Sequence, residues 1–197
     1  MPSPIGHTLA GVAIALAVER LPRLRPAFPL SPALILMCAF MAAAADLDLL
    51  TRYVGLGYTH RTVTHSVMFV ALVMIVTAGV TGWVTGRMAW RLTSLVGLVY
   101  GSHLLLDWLG PDPTVPAGLQ LLWPFSREWF ISGATIFLRT DRHDPFSAET
   151  MAVNARAAVR ELLVLGPIVL ALLWARRPAI LSEVEGSPRV ESRGDSL

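Results

Sequence analysis

The chain contains no lysine. All 16 of its basic side chains are arginine, which reads as the coding bias of a GC-rich genome. Cys38 is the only cysteine, so an internal disulfide and a thiolate-based zinc cluster are both excluded. It lies in an apolar run and reads as a small packing residue. Charge is scarce: 15% of the 197 residues are charged, where a soluble domain carries about a quarter. The net charge is only +2, and no basic cluster marks a soluble face, which argues against a nucleic-acid partner. No H-E-x-x-H occurs, which argues against an intramembrane zincin protease. Ser66 lacks the G-x-S-x-G surroundings of a hydrolase nucleophile. There is no internal repeat.

Apolar runs fill the space the charges leave. The chain is 54% hydrophobic with a mean hydropathy of +0.57, so a membrane protein is the first expectation. "HTLAGVAIALAV" has a signal-like core, but the arginines follow it instead of preceding it. It is read as a retained first helix, short for a full span. Four spans are expected: Leu30–Leu50, Ser66–Thr85, Leu92–Trp108 and Leu162–Ala175. The last is short unless Val153–Glu161 extends it, and Gly166-Pro167 should kink it. The connectors "ERLPRLRPAFP" and "GRMAWR" are short and basic. Pro111 to about Ser147 is a long polar loop, within an extramembrane segment 111–159. Its stretch "LLWPFSREWF" is a lid or, as the safer reading, an interfacial aromatic belt. The domain organisation is therefore one membrane-embedded unit, 1–177, followed by a polar tail, 178–197, expected to be disordered. The fold class is all-α.

Threading these helices up and down sorts the polar residues. If His7 starts on one side, Arg20, Arg23, Arg25, Arg87, Arg91, Arg176 and Arg177 fall on the other. Asp46, Asp48, His60, His65, His103 and Asp107 all return to the side of His7. Short arginine-rich loops mark the cytoplasm, which puts the polar set outside the bacterial inner membrane.

Each of these residues has an ordinary explanation on its own. Asp46 or Asp48 can be solvated at an interface, Thr64 can cap a helix, and His103–Asp107 can be an intrahelical hydrogen bond. Gathered at membrane depth, they point to a function. His103 and Asp107 are spaced i,i+4 and share a helix face, which suits two ligands on one ion. "DLD" offers two carboxylates at a helix end. Imidazole plus carboxylate without thiolate suits Zn²⁺, Mn²⁺ or Fe²⁺; zinc is the first expectation, with manganese or magnesium behind it. Asp48 is a candidate general base or a partner that orients a ligand. Arg61, beside His60, can orient a phosphate oxygen or reach to lipid headgroups. His143, in "TDRHDPFS", lies outside the set and reads as solvated.

The run "GHTLAG", "AADLDLL", "HRTVTHS", "GSHLLLDWL" and "GLQLLWPFS", in that order, resembles the YdjM/YbcI-type membrane-bound metal-dependent hydrolases, also described as LexA-regulated inner-membrane proteins. The resemblance covers roughly residues 1–175. It implies a distant likeness to zinc-dependent phospholipase C and the P1-type nucleases, and so phosphoester hydrolysis at a metal site. By resemblance, His7, Asp46, His60 or His65, His103 and Asp107 are metal ligands. From their own chemistry and position, His65 and Asp48 are the candidate catalytic groups and Arg61 is the candidate substrate-binding group. The second helical pair of the soluble phospholipases, H-x-x-x-E, is missing. The expected function is hydrolysis of a lipid or lipid-linked phosphoester by a metal-activated water. The alternatives are a non-catalytic divalent-metal carrier or sensor and a structural membrane protein. The expected partners are membrane lipid and that substrate.

Overall fold

The computed structural model describes residues 1–27, 29–52, 60–142, 144 and 146–185, the last nine by backbone alone. His143 and residues 186–197 of the expected tail lie outside the described residues. The described residues form five α-helices: α1 (Pro4–Val18), α2 (Pro32–Ala43), α3 (Val67–Thr85), α4 (Trp90–Trp108) and α5 (Ala148–Glu185). Among the described residues the only β-pairing is one isolated bridge, Leu119 with Phe130.

The helix starts follow local chemistry. Ser3 and Ser31 cap α1 and α2, accepting from Ile5 N (3.2 Å) and Leu34 N (3.2 Å), each with proline in the first turn. Ser66 caps α3 by accepting from Phe69 N. Thr64 therefore does not cap a helix, and its hydroxyl is used elsewhere. Gly86, at φ 68°, closes α3 in the left-handed region that glycine enters without strain.

Among the described residues, three segments are long and apolar enough to cross a membrane: Pro32–Thr51, Val67–Thr85 and Ala148–Arg176. α1 is apolar but short. The third expected span, Leu92–Trp108, now α4, has the length, but its polar C-terminal half makes it the central helix of the bundle. Eleven of its residues are buried, His103 and Asp107 among them, whereas α3 buries none. The expected last span begins earlier, at Ala148. It is helical through Gly166-Pro167 and continues to Glu185, past Pro178, where the sequence reading starts the tail. The stretch "AILSEVE" is rich in good helix formers, which lets the helix continue.

α1 packs on α2, α4 and α5, while α3 packs on α4. The core between them is formed by Leu16, Leu34, Cys38, Leu95, Val99 and Val169. Gly11 lets α1 and α2 approach closely: a Cβ there would lie 2.5 Å from the Cys38 carbonyl oxygen and 2.7 Å from Ala42 Cβ. At one end of the bundle Arg91 donates to the Arg25 carbonyl (3.3 Å). There Arg176 also donates to the Leu30 carbonyl (2.9 Å) and pairs with Glu19 (3.0 Å). The basic connectors thus meet at one end, and the histidines meet at the other.

After Ala43 the chain tightens into 3₁₀ geometry over Ala44–Arg52, correcting the single α-helix expected to Leu50. Residues i and i+2 lie about 160° apart around an α-helix but about 120° apart around a 3₁₀-helix. The tighter winding turns Asp46 and Asp48 toward the same region.

Candidate metal centre

Four elements deliver the polar set. α1 supplies His7, the 3₁₀ segment supplies Asp46 and Asp48, the turn before α3 supplies His60 and His65, and α4 supplies His103 and Asp107. His7, His65 and His103 are completely buried, and Asp107 is 2% exposed. Asp107 is met by His7 Nε2 at 3.4 Å, His103 Nε2 at 3.3 Å and His65 Nε2 at 3.6 Å. Asp46 Oδ1 is met by Nε2 of His65 (3.6 Å), His103 (3.6 Å) and His60 (3.9 Å). The His7 and His103 rings stack with centroids 3.7 Å apart.

The far nitrogens of these rings are held from behind. His103 Nδ1 lies 2.8 Å from the Ala42 carbonyl oxygen, which can only accept, so Nδ1 carries the proton. His60 Nδ1 lies 2.7 Å from Asp48 Oδ1. Thr64 donates to Asp48 Oδ2 (2.7 Å) and lies 2.9 Å from His65 Nδ1, fitting a proton on that nitrogen also. Tyr100 anchors this turn by donating to the Thr64 carbonyl (2.9 Å). With each Nδ1 protonated, the Nε2 atoms of His60, His65 and His103 all turn inward, each a lone pair when its ring is neutral. His65 Nε2 and His103 Nε2 are only 3.1 Å apart.

The interior of the cluster is therefore rich in acceptors. Both Asp107 oxygens, Asp46 Oδ1 and both His7 nitrogens are buried without a hydrogen-bond partner. One His7 nitrogen must carry a proton, but the carboxylate oxygens can only accept, and burying them unsatisfied is costly unless a cation joins them. The same excess acts on protons. Burial disfavours charge on His65, but Asp46 and Asp48 outweigh it and hold its pKa up to about 9. His60 goes the other way: burial lowers its pKa, against the pull of its bond to Asp48. Two groups have ligand atoms within 4.8 Å of one another: His7, His103 and Asp107, and Asp46, His60 and His65. All six are residues that the resemblance marks as ligands, and they are buried donors able to bind a metal ion.

The matching family model, that of the YdjM inner membrane protein, covers residues 1–179. The chain belongs to the YdjM inner membrane protein family. No curated protein and no solved structure is matched. Like its family, this YdjM chain is a membrane protein: its apolar helices surround the polar centre.

Two features of this YdjM centre have little sequence signal. Arg142 reaches in from the long loop, Nη1 lying 3.1 Å from His60 Nε2 and Nη2 3.7 Å from Asp46 Oδ2. Glu161, completely buried on α5, accepts from Ser3 N (2.6 Å) and from the Ser3 hydroxyl. It braces the start of α1, one turn before His7. A glutamate at the head of the apolar run Leu162–Ala175 is the one hint the sequence offers. Arg61, the sequence candidate for phosphate binding, is nine-tenths buried and paired with Asp112. It also donates to the Gly118 carbonyl (3.4 Å) and lies over the Trp129 ring. Its backbone is left-handed, φ 68°. The long loop is pinned to this segment by Gln120 N donating to the Arg61 carbonyl (3.0 Å) and Val67 N donating to the Leu121 carbonyl (2.9 Å).

Proposed function

We propose that the chain is a membrane-bound metal-dependent hydrolase acting on a phosphoester in a lipid or lipid-linked substrate. The observation that carries the reading is the convergence of imidazole nitrogens and carboxylate oxygens, several of them buried without a hydrogen-bond partner, at one end of an apolar bundle. The residues that would hold the metal are His7, His103 and Asp107 on one side and Asp46, His60 and His65 on the other. Nitrogen and oxygen donors without sulfur suit zinc first, then manganese or magnesium. Bound there, a divalent ion supplies Lewis acidity, making water a better nucleophile and neutralising charge on the phosphoryl oxygens.

The protein's own groups do the rest. Asp48 is read as the residue that orients His60 and His65, because its oxygens are engaged with His60 Nδ1 and the Thr64 hydroxyl. That leaves it no lone pair aimed at substrate, so the orienting role is preferred over general base. His65 is assigned as a ligand, since its Nε2 faces the acceptor cluster. In the reaction water adds oxygen to phosphorus, the ester P–O bond breaks, and the proton lost by water ends on the departing alcohol. The apolar helices exclude bulk water from the centre.

A carrier would need a route through the bundle, whereas Leu16, Cys38, Leu95 and Val99 pack the space beyond the centre. The arginines of the short connectors favour a centre that faces away from the cytoplasm. The deciding experiment combines metal analysis of purified protein with a screen of lipid and soluble phosphoesters. Stoichiometric zinc or manganese and metal-dependent turnover are expected. Protein that holds no metal would replace this reading with a structural one.

A further inference from the structure

Beside the centre lies a cavity of about 210 Å³, lined by His60, Arg61, Thr114, Arg139, Thr140 and Arg142 among others. It is smaller than the roughly 300–1,000 Å³ of pockets that enclose a whole drug-sized ligand. A headgroup fits, with the rest of a lipid left in the membrane.

The charge of this cavity is uneven. Arg61 is spent on Asp112, and Asp112 is spent in turn. Its oxygens accept from Thr114 N (3.1 Å), Thr114 Oγ1 (2.6 Å), Gly118 N (2.9 Å) and Arg61. Arg139 is exposed and has no ion-pair partner among the described residues. Arg142 is 38% exposed on its side chain, one face toward His60 and Asp46 and the other toward the cavity. The Met1 ammonium, which donates to the Pro111 carbonyl (2.9 Å), also lines the cavity. Against these groups stand the carboxylates of Asp141 and, 3.7 Å from Arg142, of Asp46, and burial lowers the pKa of the Met1 amine. Arg139 is the cation left over next to the metal donors.

We propose that this cavity receives a terminal phosphate monoester, with Arg142 as the residue that grips it and Arg139 as the second cation. A monoester carries about −1.5 to −2 at neutral pH and offers three strong acceptors, whereas a diester carries a single negative charge. Two guanidinium groups face the cavity, Arg139 without an ion-pair partner among the described residues and Arg142 shared with Asp46 at 3.7 Å, and their planar forks suit the oxygens of a dianion. Arg142 lies at the boundary of cavity and centre. Were His60 to hold a metal ion, the Arg142 N–H now directed at its ring would be available to the phosphate. This inference rests on the hydrolase reading and names its substrate class.

The test uses detergent-solubilised, metal-loaded protein and two non-hydrolysable probes, a short alkylphosphonate and its monomethyl ester, titrated by calorimetry. Wild type is expected to bind the dianion more tightly than the monoanion. Arg142→Ala should weaken the dianion on the order of 10- to 100-fold and erase the preference. Arg142→Lys should recover part of it, and metal content should stay at the wild-type level in both. Arg87→Ala, at the far end, should change nothing. Equal binding of both probes by wild type, undiminished binding by Arg142→Ala, or metal loss in that variant would each overturn the proposal. Protein that grips the phosphonate through Arg142 yet turns over no phosphoester would sink the hydrolase reading and leave the anion pocket standing.

Discussion

Asp107→Asn separates a metal centre from a polar knot that merely ties helices together. Asp107 is buried, and neither oxygen makes a hydrogen bond, although three imidazole nitrogens stand 3.3–3.6 Å away. Asn keeps the shape and removes the charge. In chelator the change gives up a buried carboxylate that faces imidazoles without a hydrogen bond, a loss of pairing offset by the lower cost of burying a neutral amide, so the variant should unfold near the wild-type temperature. With metal at about 100 times its Kd, wild type gains about 2.7 kcal/mol from binding. For a chain of this size that is a rise of roughly 5–10 °C, at about 2–4 °C per kcal/mol. Loss of a direct ligand should cost more than the 10–100-fold that weaker, indirect perturbations cost. At the same metal concentration the variant then gains about 0.4 kcal/mol or less, a shift of about 1 °C. The assay is thermal unfolding in detergent, with and without zinc or manganese. A variant that melts lower than wild type in chelator and keeps the full metal shift would refute the reasoning.

Glu161→Ala should destabilise by about 3–5 kcal/mol, because it strands two buried donors of Ser3, and should lower metal content through displacement of His7. Glu161→Gln, which still accepts a bond, should retain more of both, as melting and metal analysis will register. Gly11→Ala should cost about 1–3 kcal/mol, since the added methyl meets the rigid Cys38 carbonyl. Gly97→Ala should cost less, because it meets the flexible end of Met74, and chemical denaturation will compare the two. Cysteine placed at 135 should label from outside the membrane while cysteine at 89 should not, with buried Cys38 silent in both. The opposite pattern would invert the orientation.

Much of this protein was legible in its sequence because the relevant physics is local. Ser-Pro starts, Gly86 and the apolar runs set the helices through capping and burial that neighbouring residues decide. The i,i+4 spacing placed His103 and Asp107 on one face of α4, and counting spans placed His7, Asp46, Asp48, His60 and His65 at the same end. The tertiary structure alone decided what each of those atoms faces. The tautomer of His103 depends on the Ala42 carbonyl, a backbone atom 61 positions away that no side-chain pattern reports. Arg142 reaches His60 across 82 positions, and Glu161 reaches Ser3 across 158. Arg61 read as free for phosphate until Asp112 came to neutralise it. Charge pairing acts over a few ångströms in space and is blind to separation along the chain, so which arginine stays available is settled only when the loop folds over the bundle.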